Sequence, residues 1–343
     1  MNTWQKLFGP KSSENKRESG LFTLLCVLLV GVALLSLAFG GTKINIGKAF
    51  LSLLEGNLAG AEYRILFYIR LPRVLAALFA GAALAVSGLL IQAVLNNPMA
   101  APNVIGVNSG AGLTAAVTIA LFPSAIGILP LTSFVGALLA CLLIFAIAQK
   151  TNASKLTITL VGIAVGSVLN AGINTVKVFF PDSVYDADMF MIGGFSGVTY
   201  EKIIPAGAVI VIGLVVAFII SRNIDILTLG ENTAQSLGLN IKLIRFVLLI
   251  IASALAGAAV SFAGLLGFVG LLVPHIMRKF AGVKHRRLIP ASALAGSILV
   301  ISCDLFSRVA LAPFEIPVGI ILSLVGGIFF ICLVLFMKRG GEL

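Results

Sequence analysis

RLPRVLAALFAGAALAVSGLLIQAVLNNPMAAPNVIGV, residues Arg70 to Val107, decides how the rest of the chain is read. Two arginines flank a proline in Arg70-Leu71-Pro72-Arg73. Small residues follow (Ala76, Ala77, Ala80, Gly81, Ala82, Ala83, Ala85, Ser87, Gly88), and the stretch turns at Asn96-Asn97-Pro98. The 76 residues from Val74 to Gln149 contain no Asp, Glu, Lys or Arg. A bilayer-crossing helix needs about 20 apolar residues, so this block has room for three crossings with turns between them. Soluble domains carry about 25% charged residues and do not leave such a gap. The fold class expected is an all-α polytopic membrane protein.

Composition agrees. The chain of 343 residues is 59% hydrophobic and 11% charged, with a mean hydropathy of +1.12. Its 36 glycines suit helices that must approach closely where lipid supplies no hydrophobic force between them. A net charge of +11 would suggest nucleic acid for a soluble protein. In a membrane protein, basic residues mark cytoplasmic loops, so the partner expected is the lipid bilayer and not nucleic acid. Cys26, Cys141, Cys303 and Cys332 lie far apart, in or beside apolar runs, with neither metal spacing nor a disulfide framework.

The long uncharged windows give a span count. They are Leu21–Thr42, the 74–149 block, Leu156–Val176, Ile203–Ser221, Phe246–Met277, Leu288–Cys303 and Ile316–Met337. Breaks at Asn96–Pro98 and Pro123–Pro130 divide the block into three. Gly264, Gly267 and Gly270 divide the 246–277 window into two, for ten spans in all. Residues 1–20 read as a polar cytoplasmic tail, 21–337 as the ten-helix membrane domain and 338–343 as a second cytoplasmic tail. The apolar run from Leu21 to Phe39 lacks a clear cleavage site and reads as an uncleaved first span. With both termini inside, the inner segments hold 16 of the 24 basic residues, and the outer ones hold eight of the 13 acids. That bias sets the orientation.

Leu78–Leu90 and Ala254–Leu266 match at 7 of 13 positions with an offset of 176, which also carries Pro98 onto Pro274. Span two then pairs with span seven, five spans on, so the copies face opposite ways. This is the inverted repeat (spans 2–5 and 7–10) of transporters that alternate about a central axis. Chance similarity between glycine-alanine segments is the other reading.

Two further features call for partners. In the inner loop 222–245, Thr228-Leu229-Gly230-Glu231 fits a capping box, opening a short helix that stops at Gly238, a good left-handed cap. It is either an amphipathic connector or a knob for a cytosolic partner. On the outer side, Arg70, Arg73 and Arg308 stand where positive charge is disfavoured. They pair locally, as Asp304 with Arg308 at i, i+4, or they meet acidic residues of an extracytoplasmic protein.

No ATP site is legible. Gly41–Lys48 (GTKINIGK) has five residues between its glycines and Ala49 where a phosphate loop needs Ser or Thr. His275 and His285 have no ligating neighbours in sequence, so neither metal nor cofactor is expected. The spans are nearly bare of carboxylates, which argues against an ion-coupled secondary transporter.

RLPR at 70–73, AGAALAVSGLLIQAVLNNPMAAPNVIGVNSGAG at 80–112, MIGGFSG at 191–197, LGENTAQSLGLN at 229–240, GLLGFVGLLVPHIMR at 264–278 and EIPVGI at 315–320 together resemble one family. It is the FecCD-type membrane permease of ABC importers for iron–siderophore, haem and cobalamin. The likeness runs from span one to span ten. It implies the type II importer fold, with ten helices per subunit and a second permease subunit, identical or different. Two cytosolic ATPase subunits and an extracytoplasmic substrate-binding protein complete the importer. By that resemblance Arg70, Arg73 and Arg308 meet the binding protein, and Gly230, Glu231, Ala234, Leu237 and Gly238 form the coupling loop that enters the ATPase. Asn152, Ser154, Asn170 and Asn174 fall on the pathway and its gate, although the turn at Asn152–Lys155 departs from the family's pattern. Asp182–Gly194 would form a short outer helix. The function implied is alternating-access import of a ferric siderophore, with haem or cobalamin as alternatives, driven by hydrolysis on another chain and with no catalytic residue here.

Overall fold

The computed structural model describes residues 11–42, 47, 60–102, 106–150 and 155–337. Among them are thirteen helices and no strand. The helices are α1 Lys11–Ala38, α2 Ala61–Leu95, α3 Val107–Leu121, α4 Leu129–Lys150, α5 Lys155–Phe179, α6 Val184–Ile192 and α7 Tyr200–Ile219. They continue with α8 Ser221–Thr228, α9 Glu231–Ser236, α10 Ile241–Ala263, α11 Val269–Ala281, α12 His285–Val309 and α13 Val318–Met337. Seven are long and apolar enough to cross a membrane: α1, α2, α4, α5, α7, α10 and α12. α3 and the Val318–Leu333 part of α13 are shorter apolar helices, and α11 has 13 residues. These ten helices fall on the ten windows read from the sequence, seven of them at crossing length. Residues 1–10 and 338–343 of the two tails lie outside the described residues.

The turns fall where the sequence breaks. α2 stops at Leu95 with Asn96 left-handed (φ 46°), a conformation Asn tolerates through its short polar side chain. A 3₁₀ turn at Pro123–Ile128 separates α3 from α4. The window 246–277 breaks after Ala263, where Gly264 takes φ 67°, open to glycine at little cost. The repeat, however, straddles unlike structure. Leu78–Leu90 lies wholly inside α2, whereas Ala254–Leu266 runs past the end of α10, and Pro98 sits in a turn while Pro274 sits inside α11.

α2 is the hub. In its most apolar window 83% of residues are buried, against 11% for α1 and 17% for α5. The small residues of the opening stretch make this possible. Gly81 meets the backbone of Gly296 in α12, and Gly88 meets that of Gly270 in α11, with no room for a methyl at either crossing. Close backbone approach of this kind gathers dispersion contacts that lipid tails cannot match. Ser87 Oγ donates to the Ala252 carbonyl of α10 at 2.6 Å, and Ser297 Oγ donates back to Leu78 O at 2.8 Å. Buried hydroxyls are thereby satisfied across helices instead of being stranded in an apolar medium. α2 and α12 run antiparallel, since Arg73 pairs with Asp304, Leu78 with Ser297 and Gly81 with Gly296.

Candidate functional site: two polar ends of one bundle

The arginine end is built on a wide turn. α2 begins as an α-helix at Ala61–Arg64, loosens to a π-helix over Ile65–Arg70, and tightens again at Leu71. Such π segments are rare and re-aim side chains. The one here brings Arg70 beneath the end of α1, where its Nη1 donates to the carbonyls of Leu37 and Ala38, each at 2.7 Å. These belong to the last turn of α1, whose carbonyls have no partner within the helix. Arg308, from α12, does the same for Phe39 O at 3.3 Å and Ser36 O at 3.2 Å. Arg73 pairs with Asp304 at 2.9 Å and Glu315 at 2.8 Å, and Arg308 reaches Asp304 at 3.1 Å. The structure thus brings together all three arginines singled out in the sequence, and it turns them inward. Arg70 is 3% exposed, Arg73 8% and Arg308 3%, around an Asp304 with no exposure at all. Arg73 and Arg308 share the two carboxylates while Arg70 bonds only carbonyl groups, so the cluster holds one more basic side chain than acidic. The i, i+4 pair of Asp304 and Arg308 is present, as part of a network drawn from three helices.

Beside it a cavity of about 590 Å³ is walled by Arg73 and Glu315 on one side and by Tyr185, Asp186 and Phe190 on the other. Backbone bonds join the segments around it. Gly194 N–H donates to Ala263 O at 2.8 Å, Leu265 N–H to Phe190 O at 3.1 Å and Gly319 N–H to Gly193 O at 3.2 Å. α6, the short helix expected within Asp182–Gly194, begins at Val184 after a 3₁₀ turn at Pro181–Ser183.

The opposite end carries the loop between α7 and α10. It holds two helices where one was expected, because α8 (Ser221–Thr228) precedes α9. Every third or fourth residue of α8 (Ser221, Ile224, Leu227) is buried, the spacing of a helix with one packed face. The expected capping box is not formed. Thr228 Oγ1 donates back to Asp225 O at 2.8 Å, closing α8 instead of opening α9. Gly230 (φ 106°) is the N-cap of α9 and makes no side-chain bond. Thr228 sits two residues too early, and a Thr at the end of a helix bonds the preceding turn readily. Glu231 instead meets Arg245 of α10 at 2.6 Å. The stop at Gly238 is as expected: Gly238 (φ 79°) donates to Gln235 O at 2.8 Å and Leu239 to Ala234 O at 3.0 Å, the paired bonds of a Schellman end. Ala234 is buried, while Leu237 is 60% exposed. A large apolar side chain is thus presented at the tip of a small rigid turn.

The remaining site residues are dispersed. Asn170 lines a cavity of about 430 Å³ with Asn108, Ser109 and Ser167. Asn174, one turn further along α5, is exposed, and Asn152 and Ser154 lie outside the described residues. His275 stands edge-on to Phe329, ring centres 6.0 Å apart. His285 pairs with Asp225 at 2.7 Å. Sequence reasoning passed over Asp225. Its only signal was that, with Glu231, it is one of two acids in an otherwise basic loop.

The sequence profile of the FecCD transport family matches residues 27–336. The chain belongs to the FecCD transport family. Among FecCD relatives, the Fe(3+)-citrate import system permease protein YfmE of Bacillus subtilis is 37% identical over 92% of this chain and 96% of its own length. The Fe(3+) dicitrate transport system permease protein FecD of Escherichia coli is 35% identical over 93% of this chain and 99% of its own length. The hemin transport system permease protein HmuU of Yersinia pestis is 33% identical, over 91% and 94%. A solved structure described as a metal-chelate type ABC transporter in an inward-facing conformation superposes with a TM-score of 0.82. It is 26% identical and covers 92% of this chain and 98% of the other. This FecCD protein is therefore a multi-pass membrane permease of the ABC importer family.

Proposed function

We propose that this chain forms the translocation pathway for a ferric siderophore and works by alternating access, with ten crossings and both termini in the cytoplasm. The observation that carries the reading is the relatives' range. Iron-citrate and iron-hydroxamate permeases match along nearly the whole chain at 35–37% identity, and haem permeases match at 33–34%. Haem and cobalamin stay as alternatives within the class.

In this reading the arginine end is extracytoplasmic. The binding protein docks over Arg70, Arg73 and Arg308, whose bonds within the chain make them a fixed, net positive platform. The other end is cytoplasmic. Gly230, Glu231, Ala234, Leu237 and Gly238 form the coupling element that enters the ATPase, with Leu237 as its apolar anchor. α5, with Asn170 and Asn174, faces the pathway between this subunit and a second permease subunit. A partner that binds inward and outward states with different affinity is sufficient to drive the exchange.

The test is to reconstitute the chain with its ATPase and offer binding proteins loaded with ferric siderophore, ferric citrate, haem or cobalamin. Stimulation of hydrolysis by the ferric siderophore form is the expected result. Stimulation by haem or cobalamin alone assigns the alternative cargo. Ion-driven uptake by the chain alone removes the reading.

A further inference from the structure

Asp225 lies in α8, three residues before its end and six before α9 begins at Glu231. Its Oδ1 accepts two hydrogen bonds from one residue, the backbone N–H of His285 at 2.9 Å and the imidazole Nδ1–H at 2.7 Å. An ionised carboxylate can only accept, so the proton of this contact sits on Nδ1. His285 is the first residue of α12, and Lys284 before it offers no side-chain cap. First-turn N–H groups have no partner within their own helix, so Asp225 caps α12 from a different helix. The joint is sheltered. The His285 side chain is 6% exposed and that of Asp225 35%, and Ile224 and Leu227 on the same face of α8 are buried.

The far end of α12 holds Asp304 and Arg308 of the arginine network, and its middle holds the Gly296 crossing with α2. One helix of 25 residues, rising about 1.5 Å per residue, therefore joins the segment next to the coupling turn to the opposite face of the molecule. Charge-assisted bonds hold it at both ends.

We propose that Asp225 and His285 are positioning residues for ATP-driven transport: they fasten the coupling segment to α12, so that displacement of α8 and α9 moves α12 and the arginine end with it. The inference deepens the function proposed above and rests on α9 being the ATPase contact. In this inference both act through α12. Without the joint, the coupling turn moves while α12 stays behind, and hydrolysis runs without a response at the other face.

The test uses the complete importer in lipid nanodiscs, with Cys26 and Cys332 replaced by serine and a reporter thiol in place of Val309, which is 48% exposed at the end of α12. The probe is ATP itself. Co-purification of the ATPase, hydrolysis rate, thermal midpoint and the ATP-dependent change in labelling at position 309 are recorded together. Asp225→Ala and His285→Ala should keep the ATPase bound and hydrolysing, while the change at 309 shrinks about tenfold, the weight of one charge-assisted hydrogen bond in an equilibrium. Asp225→Asn keeps an oxygen for the two N–H donors and should recover most of the response. His285→Ala leaves the backbone bond in place and serves if Asp225→Ala yields no folded complex. A response at 309 that is unchanged in the alanine variants, or lost only in step with the thermal midpoint, overturns the joint. So does a wild-type importer that hydrolyses ATP with no response at 309. A chain that co-purifies with no ATPase removes the function reading as well, and co-purification tells the two failures apart.

Discussion

Gly81 of α2 and Gly296 of α12 touch backbone to backbone, and a methyl built on either one would fall onto the other's carbonyl group. Both sides of the clash are main chain, so no side chain can swing away to relieve it. Gly81→Val should destabilise the chain by about 3 kcal/mol, the upper range for overpacking a tight interior. The reading is a lowered thermal midpoint in detergent. Gly31→Ala in α1, where nothing lies within 4 Å, is the control and should leave the midpoint unmoved.

Asp304 stands between Arg73 and Arg308 with no solvent exposure. Removing it in Asp304→Ala leaves two buried guanidiniums without their shared carboxylate. Breaking a buried pair from one side costs about 3–5 kcal/mol, and expression as folded protein should drop accordingly. Glu315, whose side chain is 38% exposed, shares Arg73 at a wetter position. Glu315→Ala should cost about 1 kcal/mol or less. Equal losses in the two variants would contradict the burial difference.

Leu237 presents an apolar side chain, 60% exposed, beside the Schellman end of α9. Leu237→Asp removes no packing within the chain, so folded stability should stay within about 0.5 kcal/mol. Co-purification of the ATPase should be lost. Retained ATPase would place the coupling contact elsewhere on the loop.

Tyr200, at the start of α7, donates its hydroxyl to Phe67 O at 2.7 Å, inside the π-helical turn of α2. The wide turn leaves that carbonyl available to an outside donor. Tyr200→Phe should cost about 1 kcal/mol, a typical net hydrogen bond, seen as a small shift in thermal midpoint.

What could be read from the chain was whatever one segment states by itself. The uncharged block between Val74 and Gln149, the turns at Asn96 and Pro123, the break at Gly264 and the stop at Gly238 each depend on neighbours a few residues away. The arginines were found but not their facing. Apart from the i, i+4 pair of Asp304 and Arg308, their partners lie far off: 32 to 33 positions for Arg70 with Leu37 and Ala38, 231 for Arg73 with Asp304 and 272 for Arg308 with Ser36, and nothing in a local window marks such a pairing. Thr228 misled for the opposite reason. Its local pattern fitted a helix start, yet α8 before it claimed the hydroxyl and left Gly230 to open α9. Asp225 and His285 went unpaired because they are 60 positions apart, a span that includes all of α9, α10 and α11.

Around the large cavity, α6 is fastened to α10 and α13 by bonds of Gly194, Leu265 and Gly319 amides to Ala263, Phe190 and Gly193 carbonyls. A frame fastened by main chain does not depend on which side chains project from it. Tyr185, Asp186 and Met189 also line the cavity and make none of these bonds. Exchanging those three side chains therefore alters the shape and charge of the lining while the fastening stays in place.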